Sequence, residues 1–162
     1  FNPIAFRYFV FGAHYKSSLN FTWESLLAAQ NALNNLYDEM RDWSVPSEID
    51  KQSVDAFLDK VNDDFDMPGA LSVLWSIVNS DIDLSIKSAT VLKLDEVFGL
   101  NFDKYIAKPL QVPKDVQKLF KDRAEARVEK NWVKSDEIRD QIEVLGFMIE
   151  DTESGQKLRE KH

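Results

Sequence analysis

The 162-residue chain is 44% hydrophobic and 12% aromatic, enough for a real buried core, and carries a formal net charge of −8 at pH 7. It has no cysteine, which excludes disulfides and thiolate metal sites, and its two histidines, His14 and His162, lie at opposite ends of the sequence and support no histidine-based metal site. No apolar run approaches the roughly 18 residues of a membrane span, and no basic-then-apolar leader opens the chain, which begins at Phe1 inside an apolar segment and reads as a piece of a longer polypeptide.

Pro3 suits a first helical turn, and Phe6, Phe9, Val10 and Ala13 recur at helical spacing to about Tyr15. With Phe1, Tyr8 and Phe11 this helix is apolar nearly all round and is expected to be buried in its parent protein. His14, seven residues from Arg7 on one face, reads as a hydrogen-bonded structural histidine. Asn20 or Thr22 caps a second helix with Glu24 in its first turn, running to about Trp43 with Leu26, Ala29, Leu33, Leu36, Tyr37 and Met40 inward. Pro46 marks a break, and a third helix near Asp50 to Asn62 carries Val54, Phe57, Leu58 and Val61.

The acidic run Asp63-Asp64-Phe65-Asp66 lacks the glycine and terminal glutamate of a calcium loop, and with Pro68 it suits the start of a helix. That fourth helix, Pro68 to about Ser80, turns Leu71, Leu74, Trp75 and Val78 inward. A fifth, Leu84 to Phe98, turns in Ile86, Ala89, Leu92 or Val91, and Phe98, with Gly99 as its stop. Short connections make residues 1–105 an antiparallel helical bundle. Residues 100–112 have no clean periodicity and read as a linker. Pro113 opens a sixth helix ending near Lys130 or Asn131, and a seventh spans Trp132 to Leu145 before Gly146. The apolar Phe147-Met148-Ile149 and the turn-rich 152–155 predict a short terminal β-hairpin. The fold class is thus mainly α: a bundle followed by a small helical domain with a hairpin, residues 112–162.

The acidity is uneven, since residues 1–111 hold 9 Lys+Arg against 16 Asp+Glu while residues 112–134 hold 7 against 4. The local field governs contact with a phosphate backbone, so the second half remains open to nucleic acid. Two wheel anomalies lie there. Val116, Leu119 and Phe120 form an inner stripe whose next members in register are Arg123 and Arg127, and in the following helix Trp132 shares a face with Asp136, Arg139 and Glu143 opposite Ile138, Ile142 and Leu145. On spacing alone, either the arginines pair with Asp136 or Asp140 across the helix pair and Trp132 covers a junction, or these residues form a binding surface.

Several short motifs carry a resemblance over essentially the whole chain. Asn2-Pro3-Ile4-Ala5-Phe6-Arg7-Tyr8 is similar to D-P-x-A-L-R-Y, Ala13-His14-Tyr15-Lys16-Ser17-Ser18-Leu19-Asn20-Phe21 to A-H-Y-R-S-P-L-N-F, and Asp63-Asp64-Phe65-Asp66-Met67-Pro68-Gly69-Ala70-Leu71 to D-D-F-N-T-P-E-A-L. Arg123-Ala124-Glu125-Ala126-Arg127, Lys130-Asn131-Trp132, Ser135-Asp136-Glu137-Ile138-Arg139-Asp140, Leu145-Gly146 and Glu150-Asp151-Thr152 with Gly155 resemble R-x-E-A-R-x-x-K-D-W-x-x-A-D-x-I-R-D, L-G and E-D-T-x-x-G in order and spacing. Together they resemble the C-terminal part of the cysteinyl-tRNA synthetases, a class I aminoacyl-tRNA synthetase family, comprising a DALR-type helical domain and an anticodon-binding domain.

The resemblance implies recognition of the anticodon bases G, C and A of the tRNA for cysteine by Arg127, Trp132, Asp136 and Asp151. Trp132 would stack on a splayed base, Asp136 would accept both N1–H and N2–H of guanine, and Asp151 would accept a cytosine amino group. Arg127 would bond a base or phosphate, and Arg123, Lys130 and Lys134 would meet the phosphate backbone. The tail departs from the family: where P-Q-G-T-x-W is common, this chain has Glu153-Ser154-Gly155-Gln156-Lys157-Leu158.

The family's ATP-dependent ligation of cysteine resides in an N-terminal Rossmann-type domain with H-I-G-H and K-M-S-K-S motifs and a zinc site. None of these is in the sequence, so the fragment itself is expected to hold neither ATP nor zinc and to be non-catalytic. The full-length enzyme would be a cytoplasmic ligase with that catalytic domain as partner. A related ligase joining cysteine to an amino sugar needs no anticodon reader, against which the match from Ala124 to Thr152 argues. The rival of another class is a stand-alone acidic helical module that binds protein and ignores tRNA.

Overall fold

The computed structural model describes residues 2–152 and 155–161. The chain divides into two compact units, Phe1–Pro109 and Leu110–His162. Among the described residues the first unit is all helical, and the second pairs two helices with one two-stranded antiparallel sheet. No helix among them is long and apolar enough to cross a membrane.

The first unit contains α1 (Pro3–Phe11), α2 (Trp23–Arg41), α3 (Lys51–Asn62), α4 (Met67–Val78) and α5 (Leu84–Phe98). Side chains supply the helix starts: Asn2 accepts from the Ile4 amide, Thr22 and Ser25 close a reciprocal capping box, and Asp50, Asp66 and Asp83 each accept amides of the first turn that follows. Leu33, Leu36, Tyr37, Met40, Phe57, Leu74, Val91, Leu94 and Phe98 fill the core, each about 1.5–3 kcal/mol of burial for the larger apolar side chains. Val91 rather than Leu92 is the fully buried member of the fifth-helix stripe. Arg7 donates to the carbonyl of Gly99, which ends α5 at φ 60. A side chain there would be strained by the left-handed backbone, and its Cβ would make the end of the Arg7 side chain, 2.7 Å away, shift.

Two expectations change. Helix α1 stops at Phe11, because Gly12 tightens the last turn onto the Phe9 carbonyl and the next residues bond elsewhere: Tyr15 donates to Asp64 at 2.7 Å and Lys16 pairs with the same carboxylate. The stretch expected to be a linker is instead partly core. A 3₁₀ turn at Phe102–Lys104 carries Leu100, Phe102 and Ile106 into the bundle at 0%, 0% and 5% exposure. Asp95 accepts the Leu100 and Phe102 amides at 2.7 and 2.9 Å, Tyr37 donates to the Leu100 carbonyl at 2.7 Å, and the Ala107 amide donates to the Met40 carbonyl at 3.1 Å. These bonds replace the periodic pattern that would have marked a regular helix.

The second unit contains α6 (Lys114–Val128), α7 (Trp132–Val144), β1 (Phe147–Thr152) and β2 (Gly155–Glu160). Gly146, at φ 86, turns the chain from α7 into β1. The strands pair antiparallel with Phe147 opposite Glu160, Ile149 opposite Leu158 and Asp151 opposite Gln156. Val116, Ile138, Ile142, Phe147 and Ile149 form a separate small core, joined by partly buried Leu110, Val112, Leu119, Phe120 and Leu158. Leu158, where the resemblance carries tryptophan, therefore still packs inward.

Candidate nucleic-acid interface

Three apolar stripes of the second unit run out into polar residues at one place. On α6 the stripe of Val116, Leu119 and Phe120 continues to Arg123; on β1 the inward alternation of Phe147 and Ile149 continues to Asp151; on β2 that of Leu158 continues to Gln156. The three ends meet. Arg123 is 1% exposed and grips Asp151 with both terminal nitrogens, Nη1 to Oδ1 at 3.1 Å and Nη2 to Oδ2 at 3.3 Å, while Nη1 also donates to Gln156 Oε1 at 2.6 Å. Gln156 Nε2 donates in turn to the Phe120 carbonyl at 2.6 Å.

Arg127, one turn further along α6 and 39% exposed at its side chain, donates Nη1 to Asp151 Oδ2 at 3.0 Å and lies 5.9 Å from the centre of the Trp132 ring. Trp132 is 56% exposed. Its place follows from the turn before it: the Asn131 amide donates to the Ala126 carbonyl at 2.8 Å and the Lys130 amide to Arg127 at 3.0 Å, wrapping the end of α6, and the Asn131 side chain then accepts the Lys134 amide at 3.2 Å to start α7. That wrap holds Lys130 at φ 57, a conformation disfavoured for a residue with a Cβ.

Hydrogen bonds from Arg123, followed by the charges of Arg123, Arg127 and Arg139, hold the Asp151 carboxyl below the ordinary carboxylate range against the opposing effect of partial burial. An ionised carboxylate offers about four lone-pair directions. Three N–H donors from the arginines occupy three of them, and among the described residues the one left without a donor lies on Oδ1 of a side chain that is 38% exposed. Asp136, one turn along α7 from Trp132, is exposed and has no hydrogen-bond or ion-pair partner among the described residues. Lys130 and Lys134 are exposed as well.

The structure therefore brings Arg123, Arg127, Trp132 and Asp151 into one contiguous cluster, while Asp136, Lys130 and Lys134 are exposed and outside its contacts. A phosphate contact by Arg123 does not fit: its guanidinium is enclosed and committed to Asp151 and Gln156. Nor do the arginines pair with Asp136 or Asp140; their partner comes from the hairpin. Gln156 and Arg139 escaped the site list drawn from sequence. The usable signal for Gln156 was its shared strand parity with Leu158, and for Arg139 its helical face shared with Trp132.

The unit's matches to known proteins bear on this cluster. Residues 111–159 match the family described as the cysteinyl-tRNA ligase anticodon binding domain. Over 97% of its length the chain is 41% identical to cysteine–tRNA ligase 1 of Burkholderia lata, of which the match covers 33%. It is 36% identical over 92% of its length to the cysteine–tRNA ligase of Actinobacillus pleuropneumoniae serotype 5b, covering 36% of that protein. With the ligase of Legionella pneumophila the identity is 32%, over 95% of this chain and 36% of that one. The chain spans about a third of the length of the curated relatives it matches.

Proposed function

We propose that this chain, whose residues 111–159 match the family described as the cysteinyl-tRNA ligase anticodon binding domain, reads the anticodon of the tRNA for cysteine as a C-terminal part of a longer cysteine–tRNA ligase. The observation that carries the reading is the juxtaposition of an exposed Trp132 with a partly exposed Asp151 carboxylate that is clamped by two arginines. Anticodon bases are unpaired and splayed, so a flat exposed ring stacks on one of them while fixed acceptors read the Watson–Crick edges of others.

In this reading Trp132 is the stacking platform. Asp136 accepts N1–H and N2–H of guanine, a donor pair that adenine lacks, and Asp151 Oδ1 accepts an amino proton of cytosine, where uracil presents an acceptor. Arg127 adds charge toward a base or phosphate, and Lys130 and Lys134 draw in the backbone. Arg123 serves from beneath, holding Asp151 in place.

Joining cysteine to tRNA, with ATP and zinc as cofactors, would be the work of a catalytic domain outside this chain, in a cytoplasmic enzyme. The chain's own residues do not suit zinc: there is no cysteine, and among the described residues no three His, Cys, Asp or Glu side chains are grouped to hold a metal ion. The rival reading, an acidic protein-binding module, has one observation on its side, the exposed rings of Phe6, Phe21 and Trp23 in the first unit. Binding to RNA stem-loops separates the two. A loop bearing GCA is expected to bind weakly and more weakly as salt rises, and to outcompete a loop with adenine in the first position; equal binding to both loops would refute the recognition reading.

A further inference from the structure

We propose that Gln156 is a specificity-determining residue for the middle anticodon base, acting through Arg123 to fix the pose of the Asp151 carboxylate. The proposal rests on the anticodon reading above and assigns to β2 a part that the resemblance did not give it.

The orientation of the Gln156 amide is set by its two partners. The Phe120 carbonyl only accepts and the Arg123 guanidinium only donates, so Nε2 must face Phe120 at 2.6 Å and Oε1 must face Arg123 at 2.6 Å. The amide thereby forms a strut between the backbone of α6 and the guanidinium fork. Arg123 contributes Nη1 to both Gln156 and Asp151, so the plane of the fork, and with it the direction of the two bonds to Asp151, is held from the glutamine side. Asp151 needs that support. It is next to the last residue of β1, and its partner across the sheet is Gln156 itself.

Discrimination between cytosine and uracil depends on where one oxygen lies. An acceptor displaced by about an ångström loses much of the value of a hydrogen bond to the cytosine amino group. Trp132 and Asp136 belong to α7 and make no bond to Gln156. Loss of the strut is therefore expected to degrade reading of the middle base and to spare the first.

The test uses the whole chain and three RNA stem-loops, bearing GCA, the same loop with the middle cytosine changed to uracil, and the same loop with the first guanine changed to adenine. Gln156→Met keeps length and bulk but neither donates nor accepts strongly. It is expected to shrink the preference for cytosine over uracil by roughly three- to tenfold, the equilibrium factor of a net hydrogen bond, with the preference for guanine over adenine unchanged. Gln156→Glu replaces the donor facing Phe120 by an oxygen and competes with Asp151 for Arg123, so it should shrink the cytosine preference further. A folded variant of either kind that keeps the full cytosine preference, or one that loses both preferences alike, overturns the proposal. If the parent chain prefers no base at either position, it is the anticodon reading that fails. If the parent discriminates and Asp151→Asn abolishes the cytosine preference while both Gln156 variants keep it, only the role of Gln156 fails.

Discussion

Asp95 in the bundle and Asp151 in the hairpin unit each accept several N–H hydrogen bonds, and their partners differ. Asp95, half-buried beside Val91, Leu94 and Phe98, spends its oxygens on the backbone amides of Leu100 and Phe102, and burial pushes its carboxyl above the ordinary range despite those bonds. Asp151 is gripped by two guanidinium groups, which pull its carboxyl below that range, and it stays partly exposed. Neutral backbone donors consume a carboxylate to hold a fold. Cationic side-chain donors keep it ionised and oriented at the surface.

Removing each kind of group should break different things. Asp95→Ala strips two buried amides of their acceptor and is expected to cost the first unit about 2–4 kcal/mol, read as a lower denaturant midpoint, while loop binding by folded protein stays the same. If the midpoint does not move, the tether of residues 100–106 is not what holds that segment in the core. Trp132→Ala should do the reverse: binding of the GCA loop falls by about 1–3 kcal/mol, and the melting temperature barely shifts because the ring is more than half exposed. A large drop in melting temperature would make Trp132 a packing residue.

The smallest effect is in titration. By carboxyl carbon-13 NMR, Asp95 is expected above and Asp151 below the ordinary value of about 3.9. A lowered folded-state pKa means that the Arg123–Asp151 contribution to stability is present above that ordinary value and is lost as pH falls through the lowered one. For Asp95 the sign is opposite: its contribution is greatest below the ordinary value and is lost as pH rises through the raised one. Two carboxyls titrating together would remove the contrast between them.

Much of this architecture was legible before any coordinates. Pattern and stops placed α5 at Leu84–Phe98, and the wheel put Arg123 on an inner face, where it is 1% exposed. Periodicity identifies the face a side chain is on but not the element opposite that face. On spacing alone Asp136 or Asp140 of the neighbouring helix is one possible partner for the arginines, whereas their partner is Asp151, 28 and 24 residues away in sequence. The linker expected at 100–112 is partly core for a related reason: side-chain bonds from Asp95 and Tyr37 hold its first residues in the bundle, and such bonds to backbone leave no repeat to detect. Gln156 shares the inward parity of Leu158, but its partners Arg123 and Phe120 come from across the fold, which strand parity alone does not reveal.

The most direct test of base reading is Asp136→Asn, because Asp136 is exposed and free of partners among the described residues, so the substitution leaves the packing intact. Binding is measured to the GCA loop and to the loop with adenine first. Selective weakening of the guanine-bearing loop, by roughly tenfold or more for a paired contact to a base edge, with the adenine loop little changed, is the predicted result. Equal weakening of both loops would contradict direct readout and reduce Asp136 to part of the general field.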